Sequence, residues 1–196
     1  MGDHTVLQCS NGCAFSLGST VVPGEGPVPG KFMIIGEAPT PMALAIGRPF
    51  PANTDSGRVL DKWLSNIGLQ RDDAYITNLV KCPKRDDRWE LQIHACLPWL
   101  EREIQAVKPR LVVTLGGEVH KRFTADYRPA KYRSTPNSPL FQVWEHYPSS
   151  GGCQEYRGVI YFALIHPSSA VRLGRDIPEY LPPDLDSLRK LVKRIY

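Results

Sequence analysis

The stretch Phe32-Met33-Ile34-Ile35-Gly36-Glu37-Ala38-Pro39 decides the fold. Four apolar residues in succession, stopped by a glycine, predict a short strand covered on both faces. The preceding Pro23-Gly24-Glu25-Gly26-Pro27-Val28-Pro29-Gly30 is too dense in Gly and Pro to be anything but loop. After the strand, Gly36 to Pro51 is rich in proline and has no helical period, so a long ordered loop is expected there.

Working outward, Val59, Leu60, Trp63, Leu64 and Ile67 recur at helical spacing from Ser56 until Gly68 stops the pattern. Ala74-Tyr75-Ile76-Thr77-Asn78 reads as a second strand. Residues 90–107 give a helix with Leu91, Ile93, Leu97, Leu100, Ile104 and Val107 on its apolar side. Leu111-Val112-Val113-Thr114-Leu115-Gly116-Gly117 is a third strand running into a turn and helix. Val159 to Ile165 is a fourth strand, and residues 184–195 make a closing helix. Strands alternating with helices predict an α/β domain with a mostly parallel sheet. Residues 124–157, rich in Pro, Ser and Tyr, break the rhythm and are expected to be an irregular insertion within a single domain spanning 1–196.

The composition bounds the function. With 42% hydrophobic residues the chain can bury a core, which excludes wholesale disorder. Lys and Arg number 24 against 20 Asp and Glu, a net of +4, which suits a polyanionic partner but is far from a basic tail. No apolar run approaches the roughly 20 residues of a membrane span, so no membrane association is expected. Met1-Gly2-Asp3-His4 is unlike a secretory signal, and a cytoplasmic location is expected.

In that compartment the five cysteines, at 9, 13, 82, 96 and 153, should be reduced. They are then bland buried thiols, metal ligands or a catalytic thiol, and nothing pairs any of them with a base. Four thiolates, Cys9 and Cys13 in one pair and Cys82 and Cys96 in another, suit zinc or an iron–sulfur cluster. The spacing of the second pair fits neither a zinc ribbon nor a ferredoxin run. Cys153 reads as an ordinary loop cysteine.

Ligands of parallel sheets bind outside the C-terminal strand ends. Three predicted strands end in Gly36-Glu37-Ala38-Pro39, Thr77-Asn78 and His166-Pro167-Ser168, which a parallel sheet brings to one rim. Together with Gly47-Arg48-Pro49-Phe50, Tyr75-Ile76-Thr77-Asn78-Leu79-Val80-Lys81-Cys82 and the four cysteines, these motifs resemble the family 4 uracil-DNA glycosylases over nearly the whole chain except 124–157.

The resemblance implies a three-layer α/β/α sandwich around a short, mostly parallel four-stranded sheet. It implies a monofunctional enzyme that hydrolyses the N-glycosidic bond of uracil in single- or double-stranded DNA and so initiates base-excision repair. A monomer working in the cytoplasm at the nucleoid is the implied form. It also implies a [4Fe–4S] cluster on Cys9, Cys13, Cys82 and Cys96, structural because glycosidic hydrolysis moves no electrons.

The residue chemistry is compatible with this reading. A base inside a duplex must be flipped out and held by stacking and edge hydrogen bonds. Gly36, Glu37, Ala38, Phe50, Asn78 and His166 would form that pocket, with Phe50 as stacking face; the bland alternative for Phe50 is a core aromatic. One Asn78 amide can serve both N3–H and O4 of uracil, whereas cytosine presents the reverse pattern; otherwise Asn78 is a turn residue closing its strand. His166 can hydrogen-bond O2 as charge develops on the departing base, or be a surface loop histidine. Glu37 could orient water or stabilise a cationic sugar, or bind through its backbone while its carboxylate caps a turn. Ser168, Ser169 and Arg172 would lie on a loop entering the DNA groove, and Lys81, with Lys84, Arg85 and Arg88, would contact phosphate; a solvated charged face is the alternative for these four cations.

Two departures bear on the substrate. Thr40 stands where the family usually has glycine, and Ala43 and Leu44 occupy its acidic positions. A glycosylase for a 5-modified pyrimidine, or an iron–sulfur DNA-binding module with weak catalysis, are the competing readings.

Overall fold

The computed structural model describes residues 21–120, 122, 153–156, 158–172, 174 and 182–196. Strands β1 (Phe32–Gly36), β2 (Ala74–Asn78), β3 (Leu111–Leu115), β4 (Cys153–Tyr156) and β5 (Val159–Leu164) form one sheet in the order β2-β1-β3-β5-β4. The four expected strands pair in parallel, with Gly36 opposite Asn78 and Leu115 opposite Leu164. A fifth strand, β4, runs antiparallel along β5 at the edge. This corrects two expectations: the last residues of the 124–157 segment are a strand, and Cys153 is in it. Sequence pattern missed β4 because a four-residue edge strand carries almost no periodicity. Residues 124–152 of that segment lie outside the described residues.

Helices α1 (Pro41–Ile46), α2 (Asp55–Asn66), α3 (Trp89–Val107), α4 (Gly117–His120), α5 (Pro167–Arg172) and α6 (Pro182–Ile195), with short 3₁₀ helices at Arg71–Asp73 and Asp86–Arg88, complete the described elements. Alternation along each strand sorts the core into two layers. Phe32 and Ile34 of β1, Ala74 and Ile76 of β2, and Leu111, Val113 and Leu115 of β3 pack with α2 and α6. Met33, Ile35, Tyr75 and Val112 point the other way, onto α3. Buried strands with helices on both faces need apolar side chains in both phases, which is why β1 reads as an unbroken apolar run.

Two helices differ from expectation. The proline-rich segment after β1 is not all loop, because α1 forms within it. Thr40 is its N-cap, accepting from the Ala43 N–H, Pro41 opens it, and Gly47 ends it at φ 75°. Proline at a first helical turn sacrifices no hydrogen bond, so proline content alone was a poor guide. In α3 the buried line is Trp89, Ile93, Cys96, Leu100, Glu103 and Val107, while Leu91 is exposed.

Helix α2 starts at the site rim. Thr54 caps it, accepting from the Gly57 N–H while its hydroxyl donates to the Pro51 carbonyl. Thr54→Ala should therefore cost about 1–2 kcal/mol in chemical denaturation, and Thr54→Ser should recover most of it, because the cap needs only the hydroxyl.

Candidate base-binding pocket

The C-terminal strand ends border an open cleft, about 310 Å³ with its solvent-facing mouth included, lined by residues that include Ala38, Thr40, Ala43, Phe50, Asn78 and His166. Each wall has a local cause. Gly36 ends β1 directly opposite Asn78, and the ladder continues past it, the Leu79 N–H donating to the Gly36 carbonyl and the Val80 N–H to that of Glu37. A Cβ on Gly36 would lie 2.5 Å from both Asn78 Oδ1 and the Phe50 ring. Glycine here creates the space in which the amide and the aromatic face meet.

Asn78 is buried, and its Oδ1 has no hydrogen-bond partner. A buried amide oxygen left unpaired costs about 1–3 kcal/mol, so the cleft is missing a donor that none of the described residues supplies. The Phe50 ring lies 5.6 Å from that of His166, tilted by 41°.

His166 precedes α5, and its Nδ1 faces the backbone N–H of Ser168 at 3.2 Å and the Ser168 hydroxyl at 2.8 Å. A backbone N–H can only donate, so Nδ1 accepts and the ring proton resides on Nε2. Burial pushes the imidazole down to about 4, opposed by Glu37 and assisted by Arg172. Near neutrality His166 is thus an uncharged ring whose Nε2–H has no hydrogen-bond partner among the described residues.

The remaining site residues named from sequence divide into two groups. Glu37 is half-buried and pairs with Lys84 at 2.7 Å. Lys84 also lies over the Trp89 ring, 4.8 Å from its centroid, so Glu37 and Lys84 join the β1 rim to the Cys82 loop. Ser168, Ser169 and Arg172 belong to helix α5 rather than to a loop, with Arg172 donating to the Ser168 and Ser169 hydroxyls at 3.4 and 3.0 Å.

Lys81 corrects a prediction. It does not reach toward phosphate but is buried, its ammonium donating to Glu103 Oε2 at 2.6 Å, Thr77 Oγ1 at 2.7 Å and the Asn78 carbonyl at 2.7 Å. Glu103 in turn accepts from the Gly24 N–H and the Tyr75 hydroxyl. Glu103, Thr54, Ser56 and Pro51 were not found from sequence. For Glu103 a signal existed: it falls on the buried stripe of α3 between Leu100 and Val107, where a carboxylate needs a partner.

Cys82 and Cys96 are both buried in the α3-side core, and neither forms a disulfide. Gln92, fully buried, donates to Cys82 Sγ at 3.2 Å and to the Pro83 carbonyl at 2.9 Å, and accepts from the Arg85 N–H. An amide N–H directed at the Cys82 sulfur is the kind of contact that orients a metal-ligating cysteine, so Cys82 fits such a role, and Cys96 lies in the same buried cluster. Cys9 and Cys13 lie outside the described residues.

A parallel sheet whose strand ends gather an unpaired buried amide, a neutral imidazole and an aromatic face defines a pocket for a flat, polar-edged heterocycle. Comparison with known proteins names the class more narrowly. The Uracil DNA glycosylase superfamily matches residues 23–188. A Type-4 uracil-DNA glycosylase of Sulfurisphaera tokodaii is 30% identical over 189 residues, covering 95% of this chain and 81% of that protein. Type-4 uracil-DNA glycosylases of Saccharolobus solfataricus and Pyrobaculum aerophilum are 39% and 41% identical over 114 and 97 residues, where the match spans only about half of each relative, 52% and 48%. The chain belongs to the uracil-DNA glycosylase superfamily and, within it, to the type-4 enzymes.

Two measurements check the geometry. His166 titrates near 6.5 when unfolded and about 4 when folded, so the unfolded chain takes the proton first. Stability from the neutral ring is then complete above about pH 6.5 and is lost as pH falls towards 4. Replacing His166 by Gln should shrink the fall in Tm between neutral buffer and about pH 5 relative to wild type; an unchanged fall would mean that the ring is not held neutral. For the buried pair, Lys81→Met should destabilise by about 3–5 kcal/mol, and adding Glu103→Leu should recover part of the loss by removing the orphaned charge.

Proposed function

We propose that this protein hydrolyses the N-glycosidic bond of uracil in DNA, after flipping the nucleotide out, as the first step of base-excision repair. The observation that carries the reading is the buried, unpartnered Asn78 Oδ1 in the cleft. Uracil N3–H supplies the missing donor, and the amide N–H₂ of the same side chain serves O4. Cytosine would bring a lone pair at N3 and an amino group at C4, leaving like groups face to face.

Catalysis follows from the neutral histidine. As the glycosidic bond breaks, negative charge accumulates on the base, and the Nε2–H of His166 donates to O2 where that charge grows. Phe50 supplies the stacking face. The carboxylate of Glu37, held by Lys84 at the rim, faces the sugar side, where it steadies developing positive charge or a water molecule. Ser168, Ser169 and Arg172 on α5, with Arg85 and Arg88, face DNA and contact phosphate.

Cys9, Cys13, Cys82 and Cys96 would hold a [4Fe–4S] cluster, whose contribution is structural: it ties the N-terminal segment to the loop before α3. Residues 1–196 act as one domain and as a monomer, at the nucleoid of the cytoplasm. Among the described residues no helix is long and apolar enough to cross a membrane.

A second reading, for a 5-modified pyrimidine, is favoured by one feature. Ala43 lines the cleft where the family has acidic residues, and the Thr40 hydroxyl is spent on capping α1. An apolar substituent then meets no charge to desolvate, and a methyl-sized selectivity term is only about 1–3 kcal/mol.

An oligonucleotide with one uracil, incubated with enzyme and cleaved by alkali, tests the first reading. Asn78→Ala should lower its rate on the order of 10²–10⁴-fold, and a variant as fast as wild type would place the pocket elsewhere. Matched oligonucleotides with 5-hydroxymethyluracil and thymine decide the second; no cleavage at enzyme excess would remove it. Anaerobically purified protein should be brown, and Cys82→Ala or Cys96→Ala should lose both colour and iron; stoichiometric zinc without iron would overturn the cluster.

A further inference from the structure

We propose that Arg71 is a positioning residue for the pocket, holding Phe50 in a left-handed backbone conformation that sets its ring against the base; the functional part of this inference rests on the uracil reading above. Phe50 has φ 47°. An aromatic residue is disfavoured there, because its Cβ crowds the following carbonyl and its side chain offers no compensating hydrogen bond. Such a backbone persists only where its surroundings over-determine it, and such sites gather at functional centres. Lys108, the other non-glycine residue with positive φ among those described, merely ends helix α3.

The surroundings of Phe50 converge on its carbonyl. Arg71 Nη2 donates to the Phe50 carbonyl at 2.7 Å and Nη1 to the Pro49 carbonyl at 3.4 Å. The guanidinium is itself fixed, with Nε 3.0 Å and Nη2 2.8 Å from Asp61 Oδ1 of α2, and Nη1 3.6 Å from Glu25 Oε1. One mostly buried planar group thus ties the Phe50 loop to α2 and to the segment before β1. A compact ammonium cannot span these directions, so lysine is not equivalent here. Gly57 completes the seat: a Cβ there would strike the Pro51 carbonyl and lie 2.7 Å from that of Phe50.

The consequence is a ring placed on purpose. With Phe50 left-handed, its side chain turns inward onto Gly36 and faces His166. If the clamp is lost, the backbone relaxes to negative φ and the ring leaves the wall against which the base stacks. A displacement of about 1 Å in a substrate-positioning group can cost a hundredfold in rate. Arg71 is not among the residues that line the cleft, and its effect passes through Phe50.

The test combines a double-mutant cycle with hydrogen exchange, using Arg71→Gln, Arg71→Lys, Phe50→Gly and the double variant Arg71→Gln with Phe50→Gly. Phe50→Gly removes both the ring to be placed and the backbone cost to be resisted. Exchange over residues 48–57 should rise about tenfold or more in Arg71→Gln, rise less in Arg71→Lys, and return towards wild type in the double variant. On uracil-containing oligonucleotide, Arg71→Gln should lower kcat by roughly 10–100-fold in the wild-type background and by less than about twofold in the Phe50→Gly background. Losses that multiply in the double variant, or exchange that Arg71→Gln leaves unchanged, overturn the proposal. If wild type fails to cut uracil, the uracil reading falls, and the exchange measurement still decides whether Arg71 holds the Phe50 backbone.

Discussion

The pocket depends on an atom that is missing. At the end of β1 the chain must pass between Asn78 on the neighbouring strand and the ring of Phe50, and both lie 2.5 Å from where a side chain at position 36 would begin. Parallel pairing fixes the register, Gly36 against Asn78, so the amide cannot shift along the strand to make room. A residue larger than glycine would force apart the two groups proposed to recognise a base. The rest of the rim accommodates this contact: the peptide ladder continues through Leu79 and Val80, and the segment after Pro39 folds into α1 beside the cleft.

The two faces of the sheet then carry different duties. On the α2 face lie Phe50, Asn78 and the cleft; on the α3 face lie Tyr75, Thr77, Glu103, Lys81 and the two described cysteines. The Lys81 ammonium spends all three of its protons, one of them on the Asn78 carbonyl, so the backbone of Asn78 is pinned from behind by a satisfied ion pair. A buried pair of this kind adds little net stability over an apolar substitute, but it fixes geometry, because any other arrangement strands a charge. Because Lys81 precedes Cys82, the buried Cys82 and the Asn78 amide lie on one continuous stretch of chain.

What sequence could reveal followed from how much of the signal is local. Four parallel strands were legible because each is an apolar run stopped by a distinctive residue, and α2 because five apolar side chains keep helical spacing up to Gly68. The rim residues could be named because a parallel sheet brings strand ends together. The contacts that set their geometry are long-range: Arg71 to Phe50, Lys81 to Glu103, Glu37 to Lys84. No local pattern marks a surface-typical lysine that turns inward, so Lys81 reads as a phosphate ligand until the carboxylate on α3 is seen. Likewise α1 was hidden by prolines that occupy helix-starting positions, and the left-handed Phe50 by a residue type that gives no sign of it.

The distribution of charge explains how such a pocket can favour a leaving anion without holding a cation in it. Three ion pairs lie at the edges of the site or beneath it, Glu37 with Lys84, Lys81 with Glu103 and Arg71 with Asp61, while Arg172 on α5 donates to the Ser168 and Ser169 hydroxyls. The groups in the cleft itself, Asn78, Phe50 and the neutral His166, are uncharged. In the proposed reaction a neutral base would enter a cleft whose lining carries no ionised side chain among the described residues. Attraction in the proposed reaction increases only as negative charge accumulates on the base and the His166 N–H becomes a better match for O2 than it was in the ground state. An imidazolium at that position would attract DNA phosphates as readily as the leaving base, and its second proton would meet the Ser168 N–H head on, donor against donor. In the proposed mechanism, burial that holds His166 neutral would therefore serve selectivity for the transition state at the expense of ground-state attraction, which is the direction in which binding energy raises kcat.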